Sequence, residues 1–338
     1  MKAIGFKTSQ PIDAEDSLFE FDAPMATIER ENDIVVKVSA ASVNPVDSKV
    51  RTRFAVDQEL DDPIIPGYDA VGTVIELGSS VKNFQVGDRV YYAGDFTRQG
   101  SNAEYHTVDA RIVAKAPTSL IDIEAAALPL TTLTGWEALF DRMNIDPSAE
   151  GKTLLIIGGA GGVGSITIQI AKQLTKLNVI ATASRPESAA WVKKMGADHV
   201  ANHHNLIDSV RELGFETVDY ILNLADTVGH WDATVELIAT QGTICSIVDF
   251  EGSVELGKLM FKCVTFAWEL MFTRPMYNTE DISRQHEILE SMACLIDEGR
   301  ITSILQTTIS GFNAENHKQA HRLIESGRTI GKIAIDYP

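Results

Sequence analysis

Cysteine is scarce in this chain. Only Cys245, Cys263 and Cys294 occur in 338 residues, none in a CxxC spacing and none before residue 245. An odd, scattered set argues against a disulfide framework and fits reduced thiols in the cytoplasm. Positive charge is short as well: 29 Lys and Arg against 47 Asp and Glu leave a formal net charge of −18. Such a surface repels nucleic acid and anionic lipid, so a phosphate-bearing ligand has to meet a local positive site. No apolar run is long enough to span a membrane, and the opening MKAIGFKTSQPIDAEDSLFE is read as having no signal-peptide core. What remains, 44% hydrophobic and 22% charged residues, is the composition of a soluble globular protein. The length predicts two domains, since a single core rarely grows this large.

Up to residue 115 the text is strand-like and turn-rich. DIVVKVSAASV (33–43), AVGTVIELG (70–78) and VGDRVYYAG (86–94) are short β-prone runs bounded by glycine and proline. A compact β-barrel-like domain is expected there. IDIEAAALPLTTLTGWEALFDRM (121–143) then shows helical spacing, with two helices separated by Pro129. Strand and helix patterns alternate from KTLLIIGG to GTICSIV, which predicts a parallel sheet covered on both faces. The tail adds a helix over 281–299, a strand over 304–312, another helix and a last strand, GKIAIDY. The late strands are expected to return to the first domain.

LLIIGGAGGVGSITIQIAK (154–172) carries the most specific local signal. An apolar strand runs into a glycine cluster and then an amphipathic helix. Glycines allow the sharp turn, and they let backbone N–H groups at a helix N-terminus approach a pyrophosphate. Gly159, Ala160, Gly161, Gly162, Val163 and Gly164 are therefore the candidate cofactor contacts. The loop is not a P-loop, because no Lys-Ser/Thr pair follows. The next strand ends VIATASRPES, where an NAD site carries an acidic residue for the ribose diol. Ser184 and Arg185 stand there instead, with no acidic residue at the strand's end to repel a phosphate, so NADPH is the expected cofactor.

The ordered motifs PGYDAVGTVIELGSSVKNFQVGDRV, AAALPLTTLTGWEAL, GGAGGVG and GRTIGKIAI resemble the medium-chain dehydrogenase/reductase superfamily. Within it the chain is most similar to the zinc-free quinone oxidoreductase branch, whose members are often labelled zinc-type alcohol dehydrogenase-like. The resemblance spans nearly the whole chain. It implies an α/β protein with a Rossmann doubly wound parallel sheet and a GroES-like β-barrel domain. The implied bounds are 1–127 for the GroES-like domain, completed by 300–338, and 128–299 for the NADP-binding domain, with the active site in the cleft between them.

In the zinc alcohol dehydrogenases of this superfamily the matching turn carries His-Glu and an upstream loop carries a cysteine ligand. This chain has Tyr68-Asp69 in the turn and Asn44 in the loop ASVNPVDSKVR, with Val46 in place of the hydroxyl that relays the alcohol proton. Asp47 and Asp69 alone make a poor zinc site, so no metal is expected. Without a Lewis acid, simple alcohol oxidation lacks its means of stabilising an alkoxide. Hydride addition to a quinone or an α,β-unsaturated carbonyl demands less, because hydrogen bonds can stabilise the spread negative charge. Asn44 is the candidate amide donor near the nicotinamide or the substrate carbonyl, Tyr68 the candidate donor to the developing oxyanion or source of a proton, and the resemblance places Thr132 beside the nicotinamide.

Several of these residues admit plainer roles. Tyr68 can be a packed turn residue, and Asp47 and Asp69 can fix loops by accepting backbone N–H groups. His199, His203 and His204 can be surface loop residues, although family position sets His203 near the adenosine phosphate. Arg328, in SGRTIGK, reaches the same phosphate if the tail folds back. GKLMFKCVTFAWELMF (257–272) reads either as core or as an edge strand pairing across a two-fold axis, and a homodimer is expected. Two other functions stay open: a zinc-independent alcohol or carbonyl dehydrogenase, and an NADPH-binding protein without chemistry.

Overall fold

The computed structural model describes residues 1–337, and the chain divides into two units. One comprises Met1–Leu133 with everything from Phe272 onward, and the other is Thr134–Met271.

The first unit is built on the strand Asp33–Val43, whose residues are buried along almost its entire length. Its text, DIVVKVSAASV, is nearly continuous rather than alternating because the strand is central in its sheet and covered on both faces. Ala70–Leu77 and Tyr105–Asp109 pair with it antiparallel, and Arg89–Tyr92 and Val113–Lys115 extend the sheet beyond Ala70–Leu77. On the other side the C-terminal strand Lys332–Asp336 lies antiparallel to it, with Ala334 opposite Ser42. Leu305–Ser310 then pairs parallel with that last strand. The late strands thus complete the first unit, burying Ile333 and Ile335 against Val43 and Ile309.

The helix Arg284–Asp297 also belongs to this unit, so the expected boundary at residue 299 is displaced to Met271. Its packing explains the shift. Ile282, just before it, joins the core of the β-sheet, and Tyr91 Oη donates to the Leu289 carbonyl at 2.6 Å. At the far end Thr118 and Ser119 donate backbone N–H and hydroxyl groups to the Asp297 carboxylate, holding it down at about 2 against the effect of burial. Helical periodicity cannot show which sheet a helix covers.

The second unit holds six parallel strands in the order His199–Ala201, Asn178–Thr182, Thr153–Ile157, Val218–Asn223, Ile238–Ser246, Thr265–Trp268. This is a doubly wound sheet. Chain order reverses between Thr153–Ile157 and Val218–Asn223, and ligands of such sheets lie beyond the carboxyl ends of the strands at that point. Every residue of Thr153–Ile157 is buried, as its TLLII text requires. Thr265–Trp268 is the terminal strand, which resolves the apolar stretch 257–272 into a 3₁₀ turn, Leu256–Lys262, and an edge.

Candidate active site

The glycine loop follows Thr153–Ile157 and opens the helix Gly162–Leu174, with Gly161 as its N-cap. Thr182 Oγ1, at the end of the neighbouring strand, accepts the Gly158 N–H at 2.9 Å and fixes the start of the turn. A side chain at Gly159 would bring its Cβ within 2.8 Å of Ala181 Cβ, and one at Gly164 within 2.5 Å of the Gly159 carbonyl oxygen. Both glycines are therefore demanded by the chain's own packing. Gly161 is not: its Cβ would meet nothing nearer than the Gly158 oxygen at 3.7 Å, and its backbone is an ordinary extended one. The missing side chain there leaves the N–H groups of a four-turn helix open to an approaching anion. The loop residues from Gly159 to Gly164, Ala160, Gly162 and Val163 among them, thus fit a dinucleotide pyrophosphate.

Ser184 and Arg185 follow the strand Asn178–Thr182, and Arg185 N-caps the helix Pro186–Lys194. Glu187 Oε1 lies 3.4 Å from Arg185 Nε. The strand's end itself carries no acidic residue, but Glu187, in the first turn of the following helix, lies beside Arg185. His203 lies in a short 3₁₀ turn after His199–Ala201, its ring 4.2 Å from that of His204 and 6.2 Å from that of His230. Burial and these neighbours lower its pKa, so at neutral pH it offers a hydrogen bond rather than a charge. Arg328 belongs to the other unit, on the exposed turn after Ala314–Glu325. Asn223, Thr227 and Ser246, which sequence reading missed, gather at the carboxyl ends of two central strands. Thr227 and Ser246 share a 2.6 Å hydrogen bond, and Asn223 Nδ2 donates to the Asp226 carbonyl.

In the first unit, the turn carrying Tyr68 and Asp69 is set by Gly67, whose φ of +111° no L-residue adopts comfortably. Asp69 is fully buried and is the hub of the site. Its Oδ2 accepts from Ser42 Oγ and Asn44 Nδ2, both at 2.8 Å, and from Lys332 Nζ at 3.0 Å. Its Oδ1 accepts the Leu130 N–H at 2.7 Å, at the start of the helix that carries Thr132. Asn44 is buried too; its amide donates to Asp69 and its Oδ1 accepts from Lys332 at 2.5 Å. Only the second N–H of that amide is left for a substrate. Asp47 accepts the Asn44 backbone N–H at 2.7 Å, and burial, with the Asp69 charge adding, pushes its carboxyl up to about 7. Two buried carboxyls share one ammonium, and Asp69 takes the direct ion pair.

Two hydroxyls in this region are buried without a hydrogen-bond partner: Tyr68 Oη and Thr132 Oγ1. Tyr68 packs edge-on against Phe272, with ring centroids 5.5 Å apart, and Phe272 packs against Phe96 at 4.9 Å. Burial raises the Tyr68 pKa far above the phenol value, and Asp47 and Asp95 raise it further. The phenol therefore stays neutral and keeps its proton, as a hydrogen-bond donor must. Lys332, Phe96 and Phe272 were not found from sequence. A lysine inside the apolar strand KIAID was the one visible signal, since a charge there has to be paired.

Two family models match the chain: the alcohol dehydrogenase GroES-like domain over residues 30–118 and the zinc-binding dehydrogenase over 195–335. The "zinc-type alcohol dehydrogenase-like protein" of Staphylococcus epidermidis is 42% identical, with 99% of each chain covered. The chloroplastic "NADPH-dependent alkenal/one oxidoreductase" of Arabidopsis thaliana is 35% identical over 91% of this chain and 73% of its own. Among solved structures, a Rhizobium etli protein assigned as a zinc-dependent alcohol dehydrogenase is 45% identical, with a TM-score of 0.95 over 99% of this chain and 98% of that one. The quinone oxidoreductase of Coxiella burnetii is 29% identical, with a TM-score of 0.81 over 100% and 99%. With this fold, this glycine loop and these relatives, the chain belongs to the medium-chain dehydrogenase/reductase superfamily and is an oxidoreductase of that family.

Proposed function

We propose that this protein reduces a quinone or an α,β-unsaturated carbonyl with NADPH and without a metal. The observation that carries the reading is the pair of buried, unpartnered hydroxyls, Tyr68 Oη and Thr132 Oγ1. A buried hydroxyl left unpaired costs about 1–3 kcal/mol, so its retention points to a ligand that pairs with it. NADPH supplies the hydride. Tyr68, neutral and desolvated, donates to the oxygen on which negative charge gathers, where a preorganised donor is worth most. Asn44, held by Asp69 and Lys332, presents its second amide N–H, and Thr132 orients the nicotinamide end.

The residues at the family's metal position do not suit zinc. The Asp69 carboxylate already accepts four protein donors, one of them the Lys332 ammonium, which would repel a dication. The test is NADPH oxidation with a quinone, an alkenal and a plain ketone, each with and without chelator. Turnover of the first two, indifferent to chelator, is the expected result. Dependence on stoichiometric zinc, or turnover of the ketone alone, would overturn the reading. Turnover of none, with tight NADPH binding, would leave a cofactor-binding protein without chemistry. The Arabidopsis relative's NADPH-dependent alkenal/one activity and the Coxiella quinone oxidoreductase support the leading outcome.

The NADPH preference rests on Arg185, with Ser184 beside it and His203 and Arg328 as further candidates. A charge-assisted hydrogen bond contributes about 1.5–3 kcal/mol, or about 10- to 150-fold in affinity. Arg185→Ala should weaken NADPH by about that factor and leave NADH nearly unchanged in a fluorescence titration. Glu187 competes for the same guanidinium and sets the effect toward the lower end. Equal loss of both cofactors would return Arg185 to a supporting role in the fold.

A homodimer formed by pairing Thr265–Trp268 with its copy completes the proposal. That strand ends the sheet, and Met260, Phe261, Trp268 and Leu270 around it are exposed. Light scattering should then give twice the 36.9 kDa chain mass, and a monomer at micromolar concentration would remove the claim.

A further inference from the structure

Tyr68 is the inner end of a series of aromatic rings within the first unit. Its ring packs edge-on against Phe272 at 5.5 Å, Phe272 against Phe96 at 4.9 Å, and Phe96 against Phe54 at 6.3 Å, with interplanar angles of 79°, 73° and 87°. Separate segments supply the rings. Phe54 caps the helix Pro45–Arg53, Phe96 stands in the turn after Arg89–Tyr92, and Phe272 begins the C-terminal part of the unit. Exposure rises along the series: Tyr68 and Phe272 are buried, Phe96 is half-buried and Phe54 is 44% exposed.

Packing alone does not account for the outer end. A core cluster closes itself off from water, whereas this one opens to it at Phe54, next to the exposed Val56. The outer rings are nonetheless fixed in place. Asp95 Oδ1 accepts the Thr97 N–H and hydroxyl at 2.9 and 2.8 Å, and both Arg98 Nη atoms donate to the buried Asp33 carboxylate at 2.8 Å. The residues on both sides of Phe96 are thus tied down. Beside Phe54, the Ala55 N–H donates to Ser9 Oγ at 3.0 Å. Rings held still and partly open make a preorganised aromatic site, because little freedom is left to lose on binding. At the inner end stands the unpartnered Tyr68 hydroxyl.

We propose that Phe54, Phe96 and Phe272 form the subsite for an aromatic ring carried by the acceptor, so that a conjugated carbonyl joined to a planar ring is preferred over one on an alkyl chain. This subsite rests on the reductase reading above: Tyr68 takes the oxygen, and the phenylalanines take the part of the acceptor that does not react. An alkyl chain and a ring of equal carbon number bury similar apolar area. Only the ring presents a negative face and a positive edge to the phenylalanines, and it brings no rotors to freeze. One such aromatic contact is worth about 2- to 12-fold in affinity beyond the area buried.

Benzylideneacetone and the conjugated straight-chain decenone test this. Both are methyl ketones conjugated to one alkene, with the same number of carbon atoms, and they differ in carrying a phenyl ring or an alkyl chain. Steady-state NADPH oxidation should give the aryl ketone a kcat/KM higher by about 2- to 12-fold per ring contact. In Phe96→Leu, which keeps an apolar side chain at a half-buried position, the ratio of the two values should fall by about the same factor, through KM. Should that variant fail to fold, Phe54→Leu, at the exposed end, carries the same test. A wild-type protein with no preference, or variants that lose both ketones alike, would overturn the subsite. Saturation-transfer NMR of both ketones, without NADPH, reads binding apart from turnover. Turnover of neither ketone counts against the reductase reading, and the subsite is then judged by binding. It stands if Phe96→Leu weakens benzylideneacetone more than decenone, and it falls if the two bind alike or not at all.

Discussion

Tyr68→Phe should lower turnover by about 100-fold while leaving the protein as stable as before or slightly more so. The two effects have opposite signs because the hydroxyl is useful only when a substrate is present. In the free protein Tyr68 Oη is buried with no partner, and removing an unpaired buried hydroxyl relieves its desolvation cost, about 1 kcal/mol at the low end of the range. In the transition state the same hydroxyl donates to a developing oxyanion, and loss of one such donor costs about 10²–10³ in turnover. The phenyl ring keeps its edge-on contact with Phe272, so packing is preserved. Parallel measurements of kcat, KM and thermal midpoint decide the matter. A fall in stability with unchanged kcat would make the hydroxyl structural and return Tyr68 to ordinary turn chemistry. A rise in KM alone would mean that it binds ground and transition states equally.

Lys332→Met should destabilise the first unit by about 3–5 kcal/mol, the usual cost of leaving one member of a buried ion pair without its partner. Lys332 Nζ donates to the Val43 carbonyl at 3.1 Å as well as to Asn44 and Asp69, so one ammonium joins the last strand to both functional loops. Asp69→Asn in the same chain should recover much of the loss, because the stranded charge is then gone. The difference between the double variant and the sum of the singles measures the coupling. Urea unfolding of the four proteins provides it. A cost under about 1 kcal/mol for Lys332→Met would show that Asp69 does not depend on the ammonium. Lys332→Arg is a poor substitute here, since a planar fork cannot reproduce three converging bonds from a point charge.

Much of the fold was legible in the sequence, for local reasons. A strand, a glycine cluster and an amphipathic helix in succession specify a tight strand-to-helix turn, the kind that dinucleotide sites use. At Gly159 and Gly164 close packing excludes any side chain, so residue identity alone records the tight turn. Alternation of strand and helix texts specifies a parallel sheet, and the six strands form in the doubly wound order. Asn44 and Tyr68, where the resemblance puts metal ligands, and Val46, where it puts the relay hydroxyl, are matters of residue identity, visible without coordinates.

What the sequence left open depends on groups brought together from far apart. The helix Arg284–Asp297 lies with the first unit because Ile282, Tyr91 and Asp297 find partners there, and periodicity records a buried face but not what buries it. Asn44 reads from the sequence as a free amide donor in its loop, yet Lys332, 288 positions away, donates to its side-chain oxygen and holds the amide in place. No acidic residue stands at the end of the strand before Arg185, yet Glu187 in the following helix lies within 3.4 Å of its Nε. Glu137 and Glu269 carry no motif, and each alone would pass for a surface acid. Only the tertiary structure shows both buried beside Arg142, at 3.6 Å and 2.7 Å, because burial and charge pairing are properties of the surroundings that a residue's place in the chain does not record.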